Sequence, residues 1–322
     1  MKDKGYREVV QTWLRLQNQC WMGGGDQAFF DYITPDCESE LEEELSRWRH
    51  IKSLQEERGM IPVKRETRLL SVKENRTGNL ADVAALISVR NVYSIQDRCL
   101  EEEKEEWAYF RLQTVRGGWK IFSLSMGEKP RTGGQNQMIT VSPRLDSPMQ
   151  TRSISQQGYR RDLAVRYADI HWNSPNPQYR YFSEDNCTNF ISQCVHAGGI
   201  PMEVSNNPGK GWWYQRRGGR GDRWSYSWTV AHSFYLYLKR QRSDGLRAIQ
   251  MESPEQLDLG DVICYDWEGD GRWNHNVIVT RFDPNGAPLV NAHTINSRHR
   301  YWEYKDSSAW TPRTKYAFFH IL

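Results

Sequence analysis

The stretch Asp185-Asn186-Cys187-Thr188-Asn189-Phe190-Ile191-Ser192-Gln193-Cys194-Val195-His196-Ala197-Gly198-Gly199 has the pattern of a helix that opens on a cysteine. Phe190, Ile191, Cys194, Val195 and Gly198 recur at helical spacing, Cys187 lies one turn earlier on the same stripe, and Gly198-Gly199 supply a stop. A thiol in a first helical turn sits beside unpaired backbone N–H groups and the positive end of the dipole, which favour thiolate over thiol. That prepares a nucleophile. A thiol nucleophile needs a base to take its proton and return it to the leaving group, and the base needs a third polar group to fix its ring. The chain offers His275 at the head of Asn276-Val277-Ile278-Val279-Thr280, and Asn291 and His293 on the next apolar segment. Strand alternation puts Asn291 and His293 on one face, and a hairpin through Asp283-Pro284-Asn285-Gly286 brings one or the other beside His275.

The plainer readings carry weight. Cysteine is among the most buried residue types, so a lone cysteine at a helix start more often packs than reacts. The coincidence of Cys187 with a histidine-led strand and a following polar strand reverses that expectation. Cys194 and Cys264 have no such company and read as core, while His171, His196, His232, His299 and His320 read as helix surface, loop or strand end. Asp266-Trp267-Glu268-Gly269-Asp270-Gly271 invites comparison with a calcium loop, but the twelfth position is Val277, where a bidentate Glu is required. It reads as a hairpin turn, and no metal or cofactor is expected.

Two sets of elements must carry these residues. From residue 158 to 322 the order is helices and then strands. A helix shares Tyr159, Leu163, Tyr167 and Ile170 on one face, and the Cys187 helix follows. An aromatic loop holds Trp212-Trp213-Tyr214 and Trp224-Ser225-Tyr226-Ser227-Trp228, and another helix holds Ala231, Phe234 and Leu238. Strands then run at Val262–Trp267, Asn274–Phe282, Leu289–Thr294 and Tyr316–Leu322. Trp212, Trp213 and Trp228 suit a core or the wall of a substrate groove equally well; their Gly and Arg neighbours bring them toward a cleft.

Residues 1–126 read as a smaller α+β module. Three helices come first, the third with Ser39 as its N-cap and Leu41, Leu45 and Trp48 inside. Antiparallel strands follow, beginning with Val63, Arg65, Thr67 and Leu69 in the alternation of a strand with one wet face. The charge run Glu101–Glu106 reads as a solvated loop or strand end. The outline resembles the cone-shaped domains of the nuclear-transport-factor-two-like group, and without convergent polar residues it suits a scaffold or an interaction with an unspecified protein partner. Residues 127–157, rich in Pro, Gly, Ser, Gln and Arg, read as a linker.

The whole composition bounds the partners. With 322 residues there is room for two cores, and a net charge of +3 from nearly balanced acids and bases gives no reason to expect nucleic acid or an anionic membrane. Six cysteines show no framework spacing and no C-x-x-C, so they read as reduced thiols. The first residues resemble no secretory signal and no apolar run approaches membrane-spanning length, so the expectation is a cytoplasmic protein.

Taken together, Asp185 to Cys194, Gly260-Asp261-Val262-Ile263, Asn274-His275 and Ala292-His293-Thr294 resemble the bacterial putative amidase domain family, a relative of the NlpC/P60 and CHAP cysteine peptidases. The resemblance implies a papain-like cysteine hydrolase domain preceded by the smaller module, acting on a peptide or small amide, with peptidoglycan-derived peptides as the substrate class. It implies Cys187 as nucleophile, His275 as general base and acid, and His293 as the group that orients His275, with Asn291 the alternative. The Cys187 backbone N–H, helped by Asn186 or Asp185, would hold the oxyanion. Where papain-like enzymes carry a glutamine, this chain has Tyr181 or Phe182. A peptide- or glycan-binding module with little turnover, and acyl transfer to an amine, are the alternatives that use the same fold.

Overall fold

The structure is a computed structural model that describes residues 5–116, 118–127, 158–218 and 221–322. The segment read as a linker lies, apart from Gly127, outside the described residues. Helix α1 (Tyr6–Trp21) is followed by 3-10 turns at Gln27–Tyr32 and Pro35–Cys37 and by α2 (Glu38–Glu57). The stripe Val9, Val10, Trp13 and Leu14 on α1 and the stripe Leu41, Leu45 and Trp48 on α2 are buried. They pack with Phe29 against the sheet; Trp13 meets Phe29 edge-on with ring centroids 4.5 Å apart. Ser39 is not the cap: α2 begins at Glu38 with Cys37 before it, because the Pro35 turn has already set the chain into helical backbone.

Four strands come next: β1 (Ile61–Thr77), β2 (Leu80–Ile95), β3 (Arg98–Val115) and β4 (Gly118–Gly127). On β2 every second residue from Ala81 to Ile95 is buried, the signature of one covered face. On β1 the expected single wet face is not found, and Ile61, Val63, Leu69 and Leu70 are exposed. Among the described residues this strand ends the sheet with only β2 beside it, and irregularities between Pro62 and Lys64 and between Leu69 and Ser71 break its alternation.

The second half contributes α3 (Arg161–His171), α4 (Cys187–Ala197), a short ribbon of β5 (Tyr214–Gln215) and β6 (Arg223–Trp224), and helices α5 (Tyr226–Thr229) and α6 (Ala231–Leu238). Strands β7 (Ala248–Met251), β8 (Val262–Asp266), β9 (His275–Phe282), β10 (Pro288–Ala292), β11 (Ser297–Tyr301) and β12 (Lys315–Ile321) complete it. Ala164 and Ala168 form the buried stripe of α3, while Ile170 points to solvent; small residues on this face let α3 lie close to α4.

The two halves share one antiparallel sheet in the order β1-β2-β3-β11-β10-β9-β8-β12-β7, with β4 also paired to β3. Strand β3 is long enough to pair with β4 over its second half and with β11 at Lys104 and Glu103. The Glu101–Glu106 run is therefore interior strand and not a solvated loop. Arg298 pairs with Glu103 at 3.2 Å and Lys104 with Glu106 at 2.8 Å. Burial pushes the Glu106 carboxyl up, but Lys104, Arg47 and Arg65 outweigh it and hold the group at about 2. The fold class is α+β, built on an antiparallel sheet with helices on its faces. Among the described residues no helix is long and apolar enough to cross a membrane.

Candidate active site

Cys187 is the first residue of α4 and is almost fully buried. A helix leaves its first N–H groups without intrahelical partners, and an Asn at the N-cap ordinarily answers one of them. Here Asn186 holds the N-cap position and makes no such bond. Its Oδ1 accepts from the Phe182 N–H at 3.1 Å and from Asn189 Nδ2 at 2.9 Å, and its Nδ2 lies 2.6 Å from His293 Nδ1. The cap is spent elsewhere, so no side chain caps the first turn, and its Thr188 N–H reaches the Cys187 sulfur instead. Asp185, one residue earlier, is exposed.

His293 stacks on Phe190 with centroids 3.9 Å apart. Its Nε2 sits 2.8 Å from the His171 carbonyl oxygen, which can only accept, so Nε2 carries the proton and Nδ1 accepts from Asn186. Both ring nitrogens are occupied. Burial lowers this imidazole to about 4, against the raising effect of the His171 and Trp172 carbonyls, so it is neutral near pH 7. Thr294 reinforces the clamp by accepting from the Asn186 N–H at 3.3 Å.

His275 begins β9 and is also buried, in a box of Tyr265, Trp267 and Tyr304 with centroid distances of 5.7, 5.8 and 5.5 Å. Burial, aided by the Arg300 charge, lowers it to about 3. Its Nε2 is buried with no hydrogen-bond partner among the described residues. No hydrogen bond among the described residues joins His275 to Cys187, His293 or Asn291. The residue after it, Asn276, lies on the other pleat face; its Nδ2 donates to Thr188 Oγ1 at 2.8 Å and its backbone N–H reaches the Cys187 sulfur. Asn291 is tied into a different network: its Nδ2 donates to Asp169 at 3.0 Å, and its Oδ1 accepts from Thr280 Oγ1 at 2.8 Å and from the His299 N–H at 2.9 Å.

The expectation of a thiolate at rest is not met. Burial raises the Cys187 thiol, Asp185 adds to this, and the Asn276 N–H, the Thr188 hydroxyl and the Thr188 N–H only partly offset it. A helix end lowers a thiol only as far as water or donors replace what desolvation removes. The resting pair is therefore a neutral thiol and a neutral imidazole.

Trp212, Trp213 and Trp228, which suited core or groove wall from sequence, have no exposed surface and serve as core. They explain the polar residues inside α4. Trp228 Nε1 donates to Asn189 Oδ1 at 2.9 Å, and Trp212 Nε1 donates to Ser192 Oγ at 2.9 Å. Ser192 in turn donates to the Trp228 carbonyl at 3.0 Å. These bonds lock the helix that carries Cys187. The turn after β8 behaves as a hairpin turn, with Asp266 accepting from the N–H groups of Gly269, Asp270 and Gly271.

Sequence reasoning missed Thr188, Asn276 and Thr294. A polar Asn inside the apolar run of β9 was the available signal, because a central strand buried on both faces tolerates such a residue only with a partner.

The family model for the putative amidase domain matches residues 158–319. Over 164 residues, 51% of this chain and 50% of the relative, the sequence is 57% identical to "Uncharacterized protein YhbB" of Bacillus subtilis (strain 168). Over 162 residues, 48% of this chain and 36% of the relative, it is 27% identical to "Uncharacterized protein YjcM" of the same organism. The chain thus spans half or less of the length of these curated relatives. No solved structure matches.

Proposed function

The chain belongs to the putative amidase domain family, and on that premise we propose that it is a cysteine amidase of papain-like type, acting on peptide amides with peptidoglycan-derived peptides as the substrate class. The observation that carries the reading is Cys187 at the head of a buried helix whose N-cap side chain is diverted to His293. That diversion leaves the first turn without a side-chain cap, and of its N–H groups the Thr188 N–H reaches the sulfur while the Cys187 N–H is the one assigned to an oxyanion.

Cys187 Sγ attacks the amide carbonyl carbon while its proton passes to His275. The C–N bond breaks as the imidazolium returns that proton to the departing amine, leaving a thioester. Water then attacks the thioester carbon, His275 takes the water proton, the C–S bond breaks and the thiol is restored. His275 is assigned as base because it is neutral and has an unpartnered ring nitrogen, whereas both nitrogens of His293 are engaged. His275 shares its pleat face with Val277 and Val279 and packs on Tyr265 and Tyr304, away from the face on which Asn276 meets Thr188, so this role requires the head of β9 to rearrange when substrate binds. His293 acts as the positioning residue for Asn186.

A second reading, a peptide- or glycan-binding module with little turnover, is favoured by one observation: burial raises the resting thiol, and among the described residues no base is hydrogen-bonded to it. Hydrolysis of a panel of muropeptides and simple peptide amides, followed by mass spectrometry in wild type and Cys187→Ala, separates the two. Turnover in wild type that drops by roughly 10³-fold or more in the variant supports the amidase. Binding of the same compounds by both proteins without turnover supports the binding module.

A further inference from the structure

Thr188, one position after the nucleophile, is buried, and its hydroxyl oxygen sits between two groups. Asn276 Nδ2 lies 2.8 Å from it and Cys187 Sγ lies 3.7 Å from it. An amide nitrogen can only donate, so the Thr188 oxygen accepts from Asn276 and its own proton is free to point elsewhere. Among the described residues the sulfur is the one acceptor bonded to that hydroxyl. Asn276 is itself fully buried in the middle of the sheet, where an amide is costly without a reason, and its Oδ1 has no partner among the described residues. Its backbone N–H reaches the same sulfur from the strand.

We propose that Asn276 and Thr188 form a two-residue relay that positions the Cys187 sulfur and stabilises its thiolate. Asn276 orients the hydroxyl through Nδ2, the hydroxyl donates to the sulfur, and the Asn276 N–H adds a second donor beside the Thr188 N–H, which Thr188→Val and Thr188→Ser both retain. Both are positioning residues. The other groups that face the sulfur's surroundings do not replace them. Asp185, leading into α4, opposes the anion. Cys264 on β8 is an apolar-buried thiol. His293, in the turn just past β10, is spent on Asn186, and His275 heads β9 on the opposite pleat face. The relay rests on Cys187 being the nucleophile, and its test is arranged so that the two ideas fail separately.

Cysteine-selective 13Cβ labelling with an NMR pH titration reads the ionisation of Cys187 without requiring a reagent to enter the site. Thr188→Val keeps the shape and removes the donor. The expected result is a Cys187 midpoint higher by about one pH unit, equivalent to about tenfold less thiolate at fixed pH. Thr188→Ser restores the wild-type midpoint, which a merely structural role for the side chain does not require. Asn276→Asp, also isosteric, turns the Thr188 proton toward the new carboxylate and raises the midpoint as well. The relay is overturned if Thr188→Val titrates like wild type, if Thr188→Ser shifts as far as Val, or if Cys187 stays un-ionised in wild type until the fold is lost. Amide turnover measured on the same samples is a separate readout. Its absence in wild type counts against the amidase while the titration still decides the relay.

Discussion

His275 and His293 stand at the ends of neighbouring strands, and burial drives both imidazoles to the neutral form. Their bonding is opposite. His293 is stacked on Phe190, donates to the His171 carbonyl and accepts from Asn186, so every polar atom of the ring is used. His275 is enclosed by aromatic rings and keeps Nε2 without a partner among the described residues. Burial and ionisation do not distinguish a histidine that holds structure from one free to move a proton; the hydrogen-bond account does. A satisfied ring has nothing left to give, whereas an unsatisfied buried nitrogen costs on the order of 1–3 kcal/mol and persists where function uses it.

The largest effect expected from this contrast is on turnover. His275→Ala should lower amide hydrolysis by roughly 10²- to 10⁴-fold, the range for loss of a general base, with a lower melting temperature from the cavity left in the aromatic box. Steady-state rates and a thermal melt on the same variant check it. If rates hold while His293→Ala abolishes them, the assignment of the two rings is reversed.

A smaller, structural effect is expected at the other ring. His293→Ala leaves Asn186 Nδ2 and the His171 carbonyl without partners and removes the stack on Phe190, a loss of about 1–3 kcal/mol of stability. Urea unfolding reads it. An unchanged midpoint would mean that the clamp on Asn186 carries no weight.

The smallest effect near neutral pH is the acid slope common to both rings. Each has a folded-state pKa below its ordinary value of 6.5, at about 3 for His275 and about 4 for His293. Between those values and 6.5 the unfolded chain binds more protons than the folded one. The stability each neutral ring contributes is thus complete above 6.5 and is lost as pH falls toward 4 and then 3. His275→Gln should flatten part of this slope in melts from pH 7 to 4. A slope identical to wild type would place His275 in water and not in its aromatic box.

Much of the site's scaffold was readable from residue order. The Cys187 helix, its stop at Gly198-Gly199, the hairpin turn after β8 and the strand headed by His275 follow from spacing and turn chemistry, which act between near neighbours. Strands β7 and β11 were not readable. Ser297-Arg298-His299-Arg300-Tyr301 carries no apolar alternation and becomes a strand because β10 and β3 pair with it on either side. The Glu101–Glu106 run was misread for the same reason, since its charges are matched by Arg298 from a distant part of the chain.

By itself, the sequence determined that a cysteine opens a helix, that a histidine opens a strand, and that helices precede an antiparallel sheet in the second half. Only the tertiary structure decided which polar atoms meet. It turned Asn186 from cap to partner of His293, sent Asn291 to Asp169, left His275 unpartnered and set Asn276 against Thr188. The physical reason is range. Periodicity and turn chemistry report contacts a few residues apart, whereas each of these bonds, and the burial that sets every pKa in the site, depends on elements about 90 to 120 residues apart.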